Sequence, residues 1–139
     1  MNMGSDMYRQ QILDHYKNPR KYGTLEDPTF THRGHNPSCG DEIEFDVTLN
    51  GSGKTIEDVA FEGDGCAISQ ASASMLAQRL PGMTLDEVEE LDRDDVLDML
   101  GVDISPMRIK CAVLPEKVVQ DGAAIYRGER DAETTNLEE

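Results

Sequence analysis

Asp41-Glu42-Ile43-Glu44-Phe45-Asp46-Val47-Thr48-Leu49 alternates apolar and polar side chains without a break. Successive side chains of a strand point to opposite faces. This stretch therefore predicts a β-strand with Ile43, Phe45, Val47 and Leu49 buried and an acidic face in water. Asn50-Gly51-Ser52-Gly53 supplies a hairpin loop. A second strand follows from Thr55 to Glu62, and the changed phase of Ile56, Val59 and Phe61 predicts a bulge. Gly63-Asp64-Gly65 then leads into a helix from about Cys66 to Leu80, with Ile68, Ala71, Met75 and Leu76 as its apolar stripe and Pro81-Gly82 as its stop. A hairpin followed by a helix sets the class: α+β, a small antiparallel sheet with helices packed on one side.

Upstream, residues 7–17 read as a helix with Tyr8, Ile12 and His15 or Tyr16 on one face, ended by Asn18-Pro19. Residues 18–37 are turn-rich, with an edge strand available from Thr29 to His35. Downstream, Thr84 and Glu87 have capping-box spacing, and one or two short acidic helices run to Leu100 before Gly101. A last helix is expected from roughly Cys111 to Tyr126, with Leu114, Val118 and Ile125 inward and Pro115 confined to its first turn. Residues 1–126 form one domain, and the polar stretch 127–139 reads as a disordered tail.

The chain has 139 residues, 13 Lys plus Arg against 28 Asp plus Glu, and a formal net charge of −15. Such a field repels nucleic-acid phosphates and anionic lipid, which argues against a nucleic-acid or membrane-surface protein. No apolar run approaches the ~20 residues that cross a bilayer, and the first residues lack a secretory pattern. The acids are spread along the chain, as expected of a surface adapted to a salty cytoplasm, where salt screens self-repulsion. Three cysteines cannot all pair, which points to a reducing cytoplasm where thiols serve metals or chemistry.

Each cysteine stands at a junction. Cys39 lies in the turn before the first strong strand, Cys66 opens the helix after Gly65, and Cys111 is expected to open the last helix. Helix N-termini favour thiolates, and thiolates suit soft metals and sulfur handling. Asp41, two residues after Cys39, offers a fourth ligand. The spacing alone also fits three buried, inert thiols.

The local motifs decide between these. Pro37-Ser38-Cys39-Gly40-Asp41, then Gly63-Asp64-Gly65-Cys66-Ala67-Ile68-Ser69, then Arg108-Ile109-Lys110-Cys111-Ala112 together resemble the iron–sulfur cluster scaffold family, the fold shared by IscU, SufU and the N-terminal part of NifU. Asp14-His15-Tyr16-Lys17-Asn18-Pro19-Arg20 is similar to the family's opening helix and turn, so the resemblance spans Met7 to Tyr126. It implies an α+β fold with a three-stranded antiparallel sheet, and a site made of Cys39, Asp41, Cys66 and Cys111. It further implies a cysteine desulfurase as sulfur-donating partner. Members either assemble a labile [2Fe–2S] cluster for apo-protein acceptors or hold Zn2+ and relay the sulfur.

Where IscU proteins have His before the last cysteine, this chain has Lys110, closer to SufU; the span from Cys66 to Cys111 is short, as in IscU. The chaperone-read Leu-Pro-Pro-Val-Lys loop of IscU is replaced by Ile104-Ser105-Pro106-Met107-Arg108. The leading reading is a scaffold without turnover of its own, cluster-bound as one chain or a homodimer. Its carboxylate oxygen, a weaker ligand for cluster iron than sulfur, keeps the cluster transferable. The alternatives are a zinc-dependent sulfur acceptor that accelerates a desulfurase, and a structural zinc domain. Cys39 is the expected first persulfide acceptor, with Lys110 as a positive neighbour or proton donor, or else a solvated side chain. His15, His32 and His35 fall outside the family's ligand positions and are expected to pack.

Overall fold

The computed structural model describes residues 3–38, 40–131 and 133–136. In chain order the elements are α1 (Met3–Lys17), β1 (Phe30–Asn36), β2 (Asp41–Leu49), β3 (Ile56–Asp64), α2 (Ala67–Arg79), α3 (Leu85–Glu90), α4 (Arg93–Leu100), α5 (Pro106–Tyr126) and β4 (Thr135–Asn136). The sheet order is β3-β2-β1-β4. β2 pairs antiparallel with both β1 and β3, while β4 lies parallel to β1. The α+β class holds, but the sheet has a fourth, parallel strand where three antiparallel strands were expected.

That strand comes from the stretch read as a polar tail. Thr135 is buried, and its hydroxyl donates to Asp121 Oδ2 at 2.5 Å and lies 2.9 Å from His32 Nε2. A short polar segment holds to the sheet here through side chains far away in sequence. At the other edge, Gly23 N–H donates to the Phe61 carbonyl and Phe61 N–H to the Lys21 carbonyl, so backbone groups of β3 are paired as well.

The hairpin forms as expected. Ile43, Phe45, Val47 and Leu49 are buried, and the bulge falls where Thr48 faces Asp58 and Leu49 faces Ile56, leaving Glu57 as the extra residue. The acidic face is not uniformly wet. Asp46 is buried and accepts from Leu25 N–H and the Thr31 hydroxyl; on the opposite, apolar face Asp41 is fully buried in line with Ile43.

α5 lies on β1 and β2, and α2 packs between α1 and α5 while also touching β3. Gly34 on β1 and Gly122 on α5 allow the close approach: a Cβ at Gly34 would stand 2.5 Å from Val118, and one at Gly122 2.9 Å from His32. α2 is buried along most of its length, from Ser69 to Ala77. Its serines make this possible by bonding outward: Ser72 Oγ donates to the Ala112 carbonyl at 2.6 Å, and Ser74 Oγ accepts from Arg20 N–H. His15 Nδ1 is 2.7 Å from the same Ser74 hydroxyl, tying α1 to α2.

The Thr84–Glu87 capping box is present, and Asp92–Asp95 forms a second one at α4. The last helix corrects the expectation. It starts at Pro106, the residue type best suited to a first turn, so Pro115 lies inside it. Pro115 has no N–H for the carbonyl four residues back, which is that of Cys111.

Candidate metal centre

Asp41 begins β2, Cys66 caps α2, and Cys111 sits on α5. One ligand atom from each lies within 4.8 Å of the other two. Three elements with unrelated sequence positions therefore deliver one carboxylate and two sulfurs to one point. Cys39, the expected fourth member, lies outside the described residues.

The carboxylate is held by the helix it faces. Cys66 N–H donates to Asp41 Oδ1 at 2.9 Å, using one of the unpaired donors at the start of α2. Oδ2 is buried and has no hydrogen-bond partner. A buried carboxylate oxygen left unpaired is costly, and a cation beside two sulfurs offsets that cost. Donors sharing one tetrahedral ion through metal–sulfur bonds of about 2.3 Å stand roughly 3.8 Å apart. No pair of the present donors exceeds that separation by more than about an ångström, and the residues fit a thiolate-bound metal ion.

Cys66 makes no side-chain bond to cap its helix. Its sulfur lies 3.9 Å from Ser69 Oγ, and that hydroxyl donates to the Cys66 carbonyl at 3.1 Å. Cys66 is half-buried and Cys111 almost wholly buried. Because α5 begins at Pro106, Cys111 is not the helix-opening thiol expected from sequence. The dipole's influence, confined to the first turn, favours Cys66 instead. Lys110 is exposed on α5.

Sequence reasoning passed over Gly65. A side chain there would run into the Asp41 carboxylate and stand 2.8 Å from Ser69 Oγ, so only a glycine lets the carboxylate reach the Cys66 N–H. Its position directly before a helix-capping cysteine was the available signal. Ser105, Met107 and Arg108 join Cys66 and Cys111 around a hollow of about 390 Å³ that leads out from the sulfurs. The histidines are elsewhere: His15 bonds Ser74, His32 bonds Thr135, and His35 is half-buried on β1, none of them in the ligand group.

Comparison with known proteins bears on the whole chain. Residues 7–133 match the model of the NifU-like N terminal domain. The chain is 38% identical to the zinc-dependent sulfurtransferase SufU of Bacillus subtilis, over 88% of this chain and 92% of that protein. It is 31% identical to the iron–sulfur cluster assembly scaffold protein IscU of Escherichia coli, over 90% of this chain and 98% of that one. Among solved structures, the SUF-system scaffold protein of Fervidobacterium islandicum superposes with a TM-score of 0.70 at 32% identity, covering 86% of this chain and 98% of the other. The domain-wide match and the carboxylate–thiol centre agree: the chain belongs to the NifU-like N-terminal domain family of iron–sulfur cluster assembly proteins.

Proposed function

We propose that this protein binds zinc through Cys39, Asp41, Cys66 and Cys111 and takes persulfide sulfur from a cysteine desulfurase on behalf of iron–sulfur cluster assembly. The observation that carries the reading is the compact trio of Asp41, Cys66 and Cys111 with its orphaned carboxylate oxygen. A two-iron cluster divides its four ligands between two metals and spreads them; donors all within 4.8 Å of one another suit a single ion. The similarity to a zinc-dependent sulfurtransferase and the Lys110-Cys111 pair support it.

When bound, zinc holds the thiols deprotonated and unoxidised. The chain's own residues do the rest. Gly65 leaves room for the carboxylate, Cys66 N–H fixes it, and the hollow beside Arg108 admits a donor from one side. In the transfer, an acceptor thiolate attacks the outer sulfur of the donor Cys–S–SH. The donor S–S bond breaks as a new one forms on the acceptor, the outer sulfur keeps its proton, and the donor leaves as thiolate with no net oxidation. Cys39 is the proposed acceptor, with Lys110 as the neighbouring positive charge.

The test is zinc retention against a chromophoric chelator, with transfer of 35S from a cysteine desulfurase measured in parallel. The wild type is expected to hold one colourless zinc and accept label. Cys39→Ser, Asp41→Ala, Cys66→Ser and Cys111→Ser all weaken or lose zinc, and Cys39→Ser in addition loses label. Gly65→Ala, which displaces the carboxylate without removing a ligand, weakens zinc about 10- to 100-fold. A second reading, a labile [2Fe–2S] scaffold on the same residues, is favoured by the short Cys66–Cys111 span and the IscU relationship. A stable iron–sulfur chromophore formed anaerobically with ferrous iron, and absent from the cysteine variants, would establish it in place of the zinc reading.

A further inference from the structure

The hollow beside the two cysteines does not end there. Ser105 and Arg108 also line a second, larger hollow of about 530 Å³, bounded by α1, the start of α2 and the irregular stretch before α5. Its floor is apolar: Ile12 and Leu13 from α1, Ile68 from α2, and Val102 and Ile104 from the connecting stretch. Leu13 keeps 49% of its surface in water, and Met107, at the mouth of the cysteine hollow, keeps 86%. On a chain with a net charge of −15, apolar side chains left this open at the approach to a reactive centre mark a surface that another molecule covers.

The charges along this groove say what that molecule carries. Arg9 stands on its α1 wall and Arg108 at the point where the groove meets the cysteine hollow. Among the described residues neither makes an ion pair, as is also true of Arg79 and Arg93, but Arg9 and Arg108 both line this apolar groove. Asp103 lines the far end, away from the cysteines and toward Tyr8. Over most of the molecule a carboxylate is repelled; here two unpaired guanidiniums flank an apolar floor, and guanidinium is the cation that pairs best with carboxylate.

We propose that this groove is the docking site for the segment of the sulfur donor that carries its persulfide cysteine: apolar side chains seat on Ile12, Leu13 and Ile68, and a carboxylate next to the cysteine pairs with Arg108, which leads the sulfur into the hollow at Cys66 and Cys111. The inference rests on the sulfur-acceptor reading above. It adds the recognition element: the donor segment is apolar and acidic, and it approaches from the α1 side. Arg9 strengthens the same attraction from the groove wall, while Asp103 disfavours an acidic residue at the opposite end of the segment.

The experiment measures binding of a SufS-type cysteine desulfurase by isothermal titration, together with 35S acceptance, zinc content and unfolding midpoint. Four proteins are compared: wild type, Arg9→Glu/Arg108→Glu, Leu13→Asp, and a control, Lys54→Glu/Arg79→Glu, with the same charge change away from the groove. The groove variants are expected to bind at least tenfold more weakly with zinc content and midpoint unchanged, and the control within twofold of wild type. Groove variants that bind and accept sulfur like wild type would overturn the docking proposal and leave the sulfur-acceptor reading standing. A wild type that neither binds the desulfurase nor takes its sulfur would overturn both. A wild-type dimer that Leu13→Asp converts to monomer would assign the groove to a second copy of this chain and overturn the proposal as well.

Discussion

Two buried carboxylates in this molecule have opposite fates. Asp41 accepts one N–H, keeps its other oxygen unpartnered, and brings its carboxylate within 4.8 Å of two sulfurs, where a cation would offset the burial. Glu116 is fully buried on α5, and neither of its oxygens has a hydrogen-bond partner. Burial pushes its carboxyl above the ordinary carboxylate range; Asp92 and Asp95 add to the shift and Lys117 opposes it. A carboxyl with a raised folded-state pKa leaves stability intact below its unfolded value and costs it as the pH rises through the folded value. Glu116→Met keeps the bulk and removes the unpaired oxygens. It is expected to raise the unfolding free energy at pH 7.5 by about 1–3 kcal/mol, and by less at pH 5. Urea denaturation at the two pH values checks this; a gain independent of pH, or a loss, would count against the assignment.

At the scale of elements, two histidines act as fasteners. His15 ties α1 to α2 through Ser74, and His32 ties β1 to β4 through Thr135. Burial holds both below the ordinary value of 6.5; Arg20 reinforces this for His15 against Asp14, and at His32 the Asp121 carboxylate opposes it while Arg130 reinforces it. Such groups contribute stability that is present above the unfolded pKa and lost as the pH falls through the lower folded value. Unfolding free energy should therefore decline on acidification from about pH 6.5, with α1 and β4 the first elements to lose amide protection in hydrogen exchange. His15→Gln and His32→Gln should each flatten the slope by about one proton's worth. A slope unchanged in both variants would place the linkage elsewhere. α5 illustrates how an element serves a site: Pro106 starts it early enough to carry Cys111 into the second turn.

For the whole molecule, charge dominates. The exposed acids far outnumber the cations, and the ion pairs present, such as Arg33–Glu42 and Lys21–Asp58, lie on the surface where each contributes little. Self-repulsion is therefore the larger electrostatic term, and salt weakens it. The unfolding midpoint should rise steadily between 0.1 M and 2 M KCl while zinc content stays constant. A midpoint that falls over that range would remove the case for a salt-adapted surface. Among the described residues no helix is long and apolar enough to cross a membrane.

How much of this was legible in the sequence varies with the range of the forces involved. The β2–β3 hairpin, its bulge, the Thr84 cap and the family motifs are written in neighbouring residues, because period-two alternation, turn chemistry and capping are local. The same motifs named Asp41, Cys66 and Cys111. Three features were not legible: the strand from Thr135–Asn136, the burial of Asp46, and the need for glycine at position 65. Each depends on a partner more than a dozen residues away or on the space left between two elements, whereas the start of α5 at Pro106 was a local signal that sequence reasoning passed over. The sequence by itself determined the class, the hairpin and the residue types of the candidate centre. Only the tertiary structure decided which thiol meets a helix N-terminus, which carboxylate oxygen is left without a partner, and where the apolar groove meets the hollow beside the two cysteines. Those properties belong to distances between elements, and distance in space is set by packing rather than by position along the chain.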